Sequence, residues 1–249
     1  MINVICIKWG DKFTSEFVNR LYSMVRQNLS YEFRFYCYTD DANGINDSVE
    51  IIDIPNDNDL EVWWNKLALF QKGMFEGTCL FFDLDVVIQN NIDELIDYLD
   101  RECLTKVKCY WKDESKTRYG IVHRDLKSSY DMTNNSSVML WEGNALADIW
   151  NHFIEDPEYY MLKYRGIDRF IYHEGFRTKG FPRGKIYSRL FGFDLDNGGP
   201  RIVNGKYDLY QDDSYMICIF NGYDRIPDPS NGTHIDDTAY RGFEHYWDS

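Results

Sequence analysis

Asp83 and Asp85 are the residues of this chain whose type and spacing point most directly to chemistry. They sit in the run Phe81-Phe82-Asp83-Leu84-Asp85, where an apolar stretch from Cys79 stops abruptly at two carboxylates. In an α/β sheet, ligands bind beyond the carboxyl ends of the strands. Two anions placed so close repel unless a cation lies between them. Their hard oxygens suit Mg²⁺ or Mn²⁺, which also bridges phosphate oxygens. The pattern predicts a divalent-cation site that receives a diphosphate. A strand ending in Asp-x-Asp is also the nucleophile loop of haloacid-dehalogenase-like phosphatases, in which the first Asp attacks phosphate. That loop usually opens its domain, whereas about 80 residues of α/β pattern precede this one. The later Lys and paired-Asp strand of such phosphatases are not evident either.

The elements that must position these carboxylates read as alternating strands and helices. Ile2 to Ile7 is a short apolar run and predicts a buried strand, followed by a loop at Lys8-Trp9-Gly10. Thr14 is placed to cap a helix to about Asn28, with Phe17, Val18, Leu21, Met24 and Val25 on one face. Phe33–Tyr38 and Val49–Ile54 predict two more strands, the first closed by Thr39-Asp40-Asp41. A helix from Asp59 carries Trp63, Trp64, Leu67, Leu69 and Phe70 and ends at Gly77. The strand Thr78–Phe82 follows, then the apolar Val86-Val87-Ile88 and a short helix opened by Asn91. Further on, strands are predicted at 107–111, 137–141 and 215–220, with helices at 145–154 and at 159–172 around a break at Gly166. Residues 112–132 read as a mobile loop, and the tail from Tyr223 as irregular. Strand, helix, strand with short turns predicts a mainly parallel sheet flanked by helices.

Several landmarks in order resemble the nucleotide-sugar glycosyltransferases of GT-A fold, especially the glycogenin-like and galactosyltransferase-like group. They are Trp64-Asn65-Lys66-Leu67-Ala68-Leu69-Phe70, Phe81 to Val87, Asn135-Ser136-Ser137-Val138-Met139, Gly166-Ile167-Asp168-Arg169, and Phe220-Asn221-Gly222 through Arg225 and Pro227. The likeness runs from Ile2 to about Pro227. It implies a Rossmann-like α/β fold in one domain, with a nucleotide-sugar half at about 1–100 and an acceptor half at about 101–249. The implied activity is transfer of a sugar from a nucleotide-sugar, UDP-linked before GDP-linked, to an acceptor hydroxyl, with Mn²⁺ or Mg²⁺ held by the Asp-x-Asp.

The resemblance carries roles onto particular residues. Lys8, Trp9 and Gly10 stand in the loop that holds the nucleotide, and a glycine permits close backbone approach. Thr39, Asp40 and Asp41 lie near base and ribose. Lys66 meets a diphosphate oxygen or the sugar, Arg225 meets the diphosphate, and Leu84 and Gly222 belong to the same nucleotide-sugar site. Asn135 and Ser136 offer neutral hydrogen bonds to sugar hydroxyls, and Asp168 binds a hydroxyl or serves as a base. The family's third metal ligand is usually a histidine after the last strand; Asn221 stands there, and an amide oxygen ligates more weakly. Arg169 replaces the Gln that follows the family's Asp. These departures leave a catalytically silent sugar-nucleotide-binding module as an alternative.

Composition narrows the classes further. Lys and Arg number 27 against 41 Asp and Glu, a net charge of −14, and no basic stripe is present, which argues against a nucleic-acid partner. The histidines lack HxxxH spacing, so a zinc hydrolase is disfavoured. None of the six cysteines forms a CxxC pair, and Cys6, Cys37, Cys79 and Cys218 lie in apolar runs, as reduced core residues do. No apolar run approaches the length of a membrane span. The expectation is a soluble, cytoplasmic protein.

Overall fold

The computed structural model describes residues 1–55, 60, 62–112, 133–164, 166–196, 199, 201–204, 206–221, 240 and 242–247. In chain order the elements begin with β1 (Ile2–Lys8), α1 (Ser15–Asn28), β2 (Phe33–Thr39), β3 (Glu50–Asp53), a 3-10 helix (Val62–Phe70), β4 (Thr78–Phe82), β5 (Val86–Ile88) and a 3-10 turn (Asp93–Tyr98). They continue with β6 (Leu104–Lys108), β7 (Asn134–Glu142), α2 (Ala147–Phe153), α3 (Pro157–Lys163), α4 (Ile167–His173), β8 (Thr178–Gly180), β9 (Ile186–Ser188), β10 (Arg201–Val203), β11 (Lys206–Asp208) and β12 (Ile217–Ile219).

Seven strands form the main sheet in the order β3-β2-β1-β4-β7-β6-β8, and β7 alone runs antiparallel to its neighbours. Crossovers such as β1–α1–β2 return the chain to the same edge, which makes the strands parallel and gathers their carboxyl ends. β1 and β2 pair over their whole length, from Ile2 opposite Phe33 to Lys8 opposite Thr39. β4 joins the other side of β1, with Ile5 opposite Phe81. Because β7 is antiparallel, with Val138 opposite Phe82, its beginning at Asn134–Ser137 reaches the same edge where β4 ends.

Side-chain alternation divides the core between the two faces of this sheet. Val4, Cys6, Phe35, Cys37, Leu80, Phe82, Val138 and Leu140 pack with Val18, Leu21, Met24 and Val25 of α1 and with the smaller sheet β5-β12-β9. Ile5, Cys79, Phe81, Met139 and Trp141 pack on the other face, under the 3-10 helix and α2, α3 and α4. A strand buried on both faces reads as an unbroken apolar run, which is why Cys79–Phe82 has no polar residue until Asp83. All six cysteines are buried and unbridged. No helix among the described residues is long and apolar enough to cross a membrane.

Some expectations are corrected. The helix expected from Asp59 is a 3-10 helix over Val62–Phe70. With three residues per turn, Trp64, Leu67 and Phe70 fall on one line, and all three are buried. The strand expected at 107–111 is Leu104–Lys108, because turns from Lys108 to Tyr110 and from Cys109 to Lys112 carry the chain off the ladder. The break expected at Gly166 within 159–172 is present, with bounds shifted: Asp156 caps α3 by accepting the Tyr159 N–H, and Gly166, at φ +151°, precedes α4. Thr14 holds the cap position of α1, but its hydroxyl makes no capping bond. The strand at 215–220 shortens to β12 and belongs to the smaller sheet. The loop from residue 113 to 132 and the tail from Tyr223 to 239 lie outside the described residues.

Glu174 locks α2, α3 and the end of α4 together. It accepts from Lys163 (2.9 Å), Tyr164 and His152 (2.9 Å). Burial alone would push its carboxyl up, but the hydrogen bonds from Tyr164, His152 and Lys163 outweigh it and bring the group down to about 2. A carboxyl lowered on folding stabilises above its unfolded value and loses that contribution as pH falls through its folded one. Glu174→Ala should therefore cost roughly 1–3 kcal/mol at pH 7. In urea unfolding, the gap to the parent protein should narrow below about pH 4.5 and close near pH 2.

Candidate functional site

The carboxyl edge of the sheet brings Asp83 and Asp85 to the place the sequence predicts. The Asp83 N–H donates to the Ser137 carbonyl (2.8 Å), so the β4–β7 ladder continues one residue past Phe82 and fixes the Asp83 backbone. Its Oδ1 lies 2.5 Å from Lys66 Nζ. The same ammonium is 3.5 Å from the Ser136 carbonyl and hydroxyl oxygens and 5.1 Å from the centre of the Phe81 ring. The 3-10 helix explains this placement: it lies on the sheet face through Trp64 and Leu67, and Lys66 between them reaches its edge. Leu84 turns its side chain into the core, which leaves only its backbone for a ligand.

Asp85 is half-buried, and its carboxyl is pushed up to about 6, first by burial and then by the neighbouring Asp83; Lys12 and Lys66 pull the other way. Its carbonyl accepts the Phe220 N–H (3.2 Å), because β12 pairs antiparallel with β5. Asn221 follows Phe220, one residue past this contact with Asp85. The Asn221 Oδ1 accepts a hydrogen bond from the Ser188 hydroxyl (2.7 Å). Together these groups offer two carboxylates and an amide oxygen. Such a set fits a hard divalent cation, which would offset both the burial that raises Asp85 and the repulsion from Asp83. Among the described residues no three His, Cys, Asp or Glu side chains gather as a metal site, so a cation here would need further oxygens from an amide, water or a phosphate.

The predicted nucleotide loops are tied to each other. Asp40 accepts the Gly10 N–H through both oxygens (3.0 and 3.3 Å). Lys8, almost fully buried, donates to the Asp41 carbonyl (3.0 Å) and pairs with its carboxylate (3.6 Å). The Asn43 backbone N–H, with Lys8 behind it, holds the Asp41 carboxyl below its ordinary value. The Thr39 hydroxyl donates to the Asp41 carbonyl and accepts the Asp41 N–H. Lys8, Thr39 and Asp41 thus shape the turn. Gly10 is required by its left-handed backbone (φ +59°), since a Cβ there would meet nothing within 4 Å. Trp9 stands 39% exposed beside it.

At the beginning of β7, Asn135 Oδ1 accepts the Ser137 N–H (2.8 Å), and the Ser136 N–H donates to Asp168 Oδ2 (3.3 Å). Asp168 Oδ1 accepts from Lys106 Nζ (2.7 Å). Contacts run without a break through Lys106, Asp168, Ser136, Lys66 and Asp83, from the buried β6 to the end of β4. Sequence reasoning missed Lys106 because it began that strand at Val107. A register shift between Lys106 and Val107, whose partners are Met139 and Asn135, lets β7 bulge toward Asp168. It also missed Ser188, whose strand β9 is three residues long, and Lys12. Gly222 and Arg225 lie outside the described residues.

No protein-family model matches the chain, and no curated protein matches it in sequence. Solved structures do resemble it. The galactosyltransferase LgtC, in complex with donor and acceptor sugar analogues, aligns at TM-score 0.57 and 13% identity over 98% of this chain and 93% of that one. An active-site mutant of LgtC aligns at 0.60 and 14%, over 98% and 94%. The glycosyltransferase GlyE of Streptococcus pneumoniae TIGR4 aligns at 0.61 and 11%, over all of this chain and 62% of that one. At these identities the likeness establishes the fold, which is the GT-A fold.

The raised Asp85 carboxyl makes a prediction that needs no ligand. A carboxyl raised on folding favours the native state below its unfolded value and penalises it as pH rises through about 6. Asp85→Asn should stabilise the protein at pH 7–8 by about 1–3 kcal/mol. Thermal melts across pH should show that gain fading toward pH 4.

Proposed function

We propose that this protein is a metal-dependent glycosyltransferase that moves a sugar from a nucleotide-sugar donor, UDP-linked before GDP-linked, to an acceptor hydroxyl. The observation that carries this reading is the triad Asp83, Asp85 and Lys66 at the carboxyl edge of a GT-A sheet. Two carboxylates and one ammonium there suit a cation and a diphosphate together. Asp83, Asp85 and Asn221 would hold Mn²⁺ or Mg²⁺. When bound, the metal supplies Lewis-acid stabilisation of charge on the leaving diphosphate.

The chain's own residues do the rest. Lys66 is the cation already in reach of that position, and it trades its Asp83 contact for a phosphate oxygen. The Asp40–Gly10 contact holds the β1 and β2 loops together as one platform for base and ribose, with the exposed Trp9 indole beside it. Asn135, Ser136 and Asp168 would supply neutral and anionic acceptors for sugar hydroxyls. A sugar-nucleotide-binding module without turnover is the second reading. It is favoured by Asn221, which stands in place of the family's histidine and whose oxygen already accepts from Ser188.

Thermal melts with UDP, GDP and their sugars, with and without Mn²⁺, test the proposal. A nucleotide at a hundredfold its Kd should raise the midpoint by about 5 °C or more in the presence of metal. Asp83→Ala should abolish the metal-dependent part. No shift with any UDP or GDP species would defeat the proposal, and a shift without sugar transfer or donor hydrolysis would select the binding module.

A further inference from the structure

Lys106 has no evident reason to be charged. Its side chain is 0% exposed, and it lies on β6 on the same face of the sheet as Leu104 and the helical layer. Its contact is Asp168 Oδ1 at 2.7 Å. Buried ion pairs are poor stabilisers: the loss of hydration offsets the attraction, and an apolar pair of similar volume commonly does as well. What such a pair does provide is geometry. Asp168 is held at both oxygens, by Lys106 at Oδ1 and by the Ser136 N–H at Oδ2, while its side chain keeps 17% of its surface exposed. Ser136 in turn lies 3.5 Å from Lys66, which pairs with Asp83. The clamped carboxylate is therefore linked to Asp83 through two residues, Ser136 and Lys66, with only acceptor lone pairs left to present.

We propose that Lys106 is a positioning residue for the transfer: it fixes the Asp168 carboxylate so that its free lone pairs accept hydroxyls of the donor's sugar ring. The inference rests on the nucleotide-sugar reading above. It adds that the Lys106–Asp168 pair recognises the sugar and not the nucleotide. A site built to hydrogen-bond a hydroxyl discriminates strongly when that bond is lost or misdirected. A merely structural lysine would affect folding, or would weaken nucleotide and nucleotide-sugar alike.

Isothermal titration with Mn²⁺ separates these cases. The probes are UDP and a panel of UDP-glucose, UDP-galactose and their N-acetyl forms, from which the tightest is chosen. Lys106→Met should weaken that UDP-hexose about tenfold or more, the worth of a charge-assisted hydrogen bond, while the Kd for UDP moves less than about twofold. Asp168→Asn should show the same split. The double variant Lys106→Met/Asp168→Asn, which buries no lone charge, should lose no more than Asp168→Asn alone. The double variant carries the comparison where Lys106→Met does not fold. Equal weakening of UDP and UDP-hexose, an unchanged hexose affinity, or additive losses in the double variant would overturn the proposal. Failure of the parent protein to bind either UDP or GDP would instead defeat the nucleotide-sugar reading on which it rests.

Discussion

The arrangement of this protein turns on the crowding of like charge at the end of β4. Asp83 is anchored through its backbone to β7, and Asp85 follows two residues later at the start of β5, so neither carboxylate can move far from the other. Burial and mutual repulsion together raise Asp85 to about 6. Folding tolerates the cost because Lys66 comes down from the 3-10 helix onto Asp83, and because the surrounding apolar core is large enough to absorb a few kcal/mol. Strain of this kind collects at functional sites, where stability is given up for a poised charge.

From that point the contacts alternate in sign across the sheet. Lys66 meets Asp83 on one side and Ser136 on the other, Ser136 meets Asp168, and Asp168 meets the buried Lys106. The main sheet makes this possible through topology. Parallel strands gather carboxyl ends, and the one antiparallel strand, β7, brings its polar beginning to the same edge. The bulge opposite Lys106 and Val107 then lets Ser136 reach α4.

Much of this was legible in the sequence where periodicity is strong. The apolar alternation of β1, β2 and β4 and the helical face of α1 locate the first half of the fold, and the abrupt stop at Asp83 marks the carboxyl edge. The strands β8 to β11 are three residues each, too short for any period to show. Trp64, Leu67 and Phe70 recur at a spacing that suits an α-helix nearly as well as a 3-10 helix, so the tighter coil was invisible. Lys106 was lost for a physical reason: a buried lysine in a strand is legible only once its carboxylate partner, 62 residues away, is known. The close ties of Lys8, Thr39 and Asp41 to one turn were equally hidden, since residue type alone does not tell a ligand contact from a bond that holds a loop.

The central claim is that Asp83 and Asp85 exist to share a divalent cation with a nucleotide diphosphate. Diffraction from crystals grown with Mn²⁺ and UDP, with data collected at the manganese edge, tests it most directly. The account predicts one strong anomalous peak bridging the carboxylates of Asp83 and Asp85 and the diphosphate, with Lys66 moved from Asp83 toward a phosphate oxygen. An anomalous peak elsewhere, or UDP bound with Lys66 still on Asp83 and no metal between the aspartates, would contradict it.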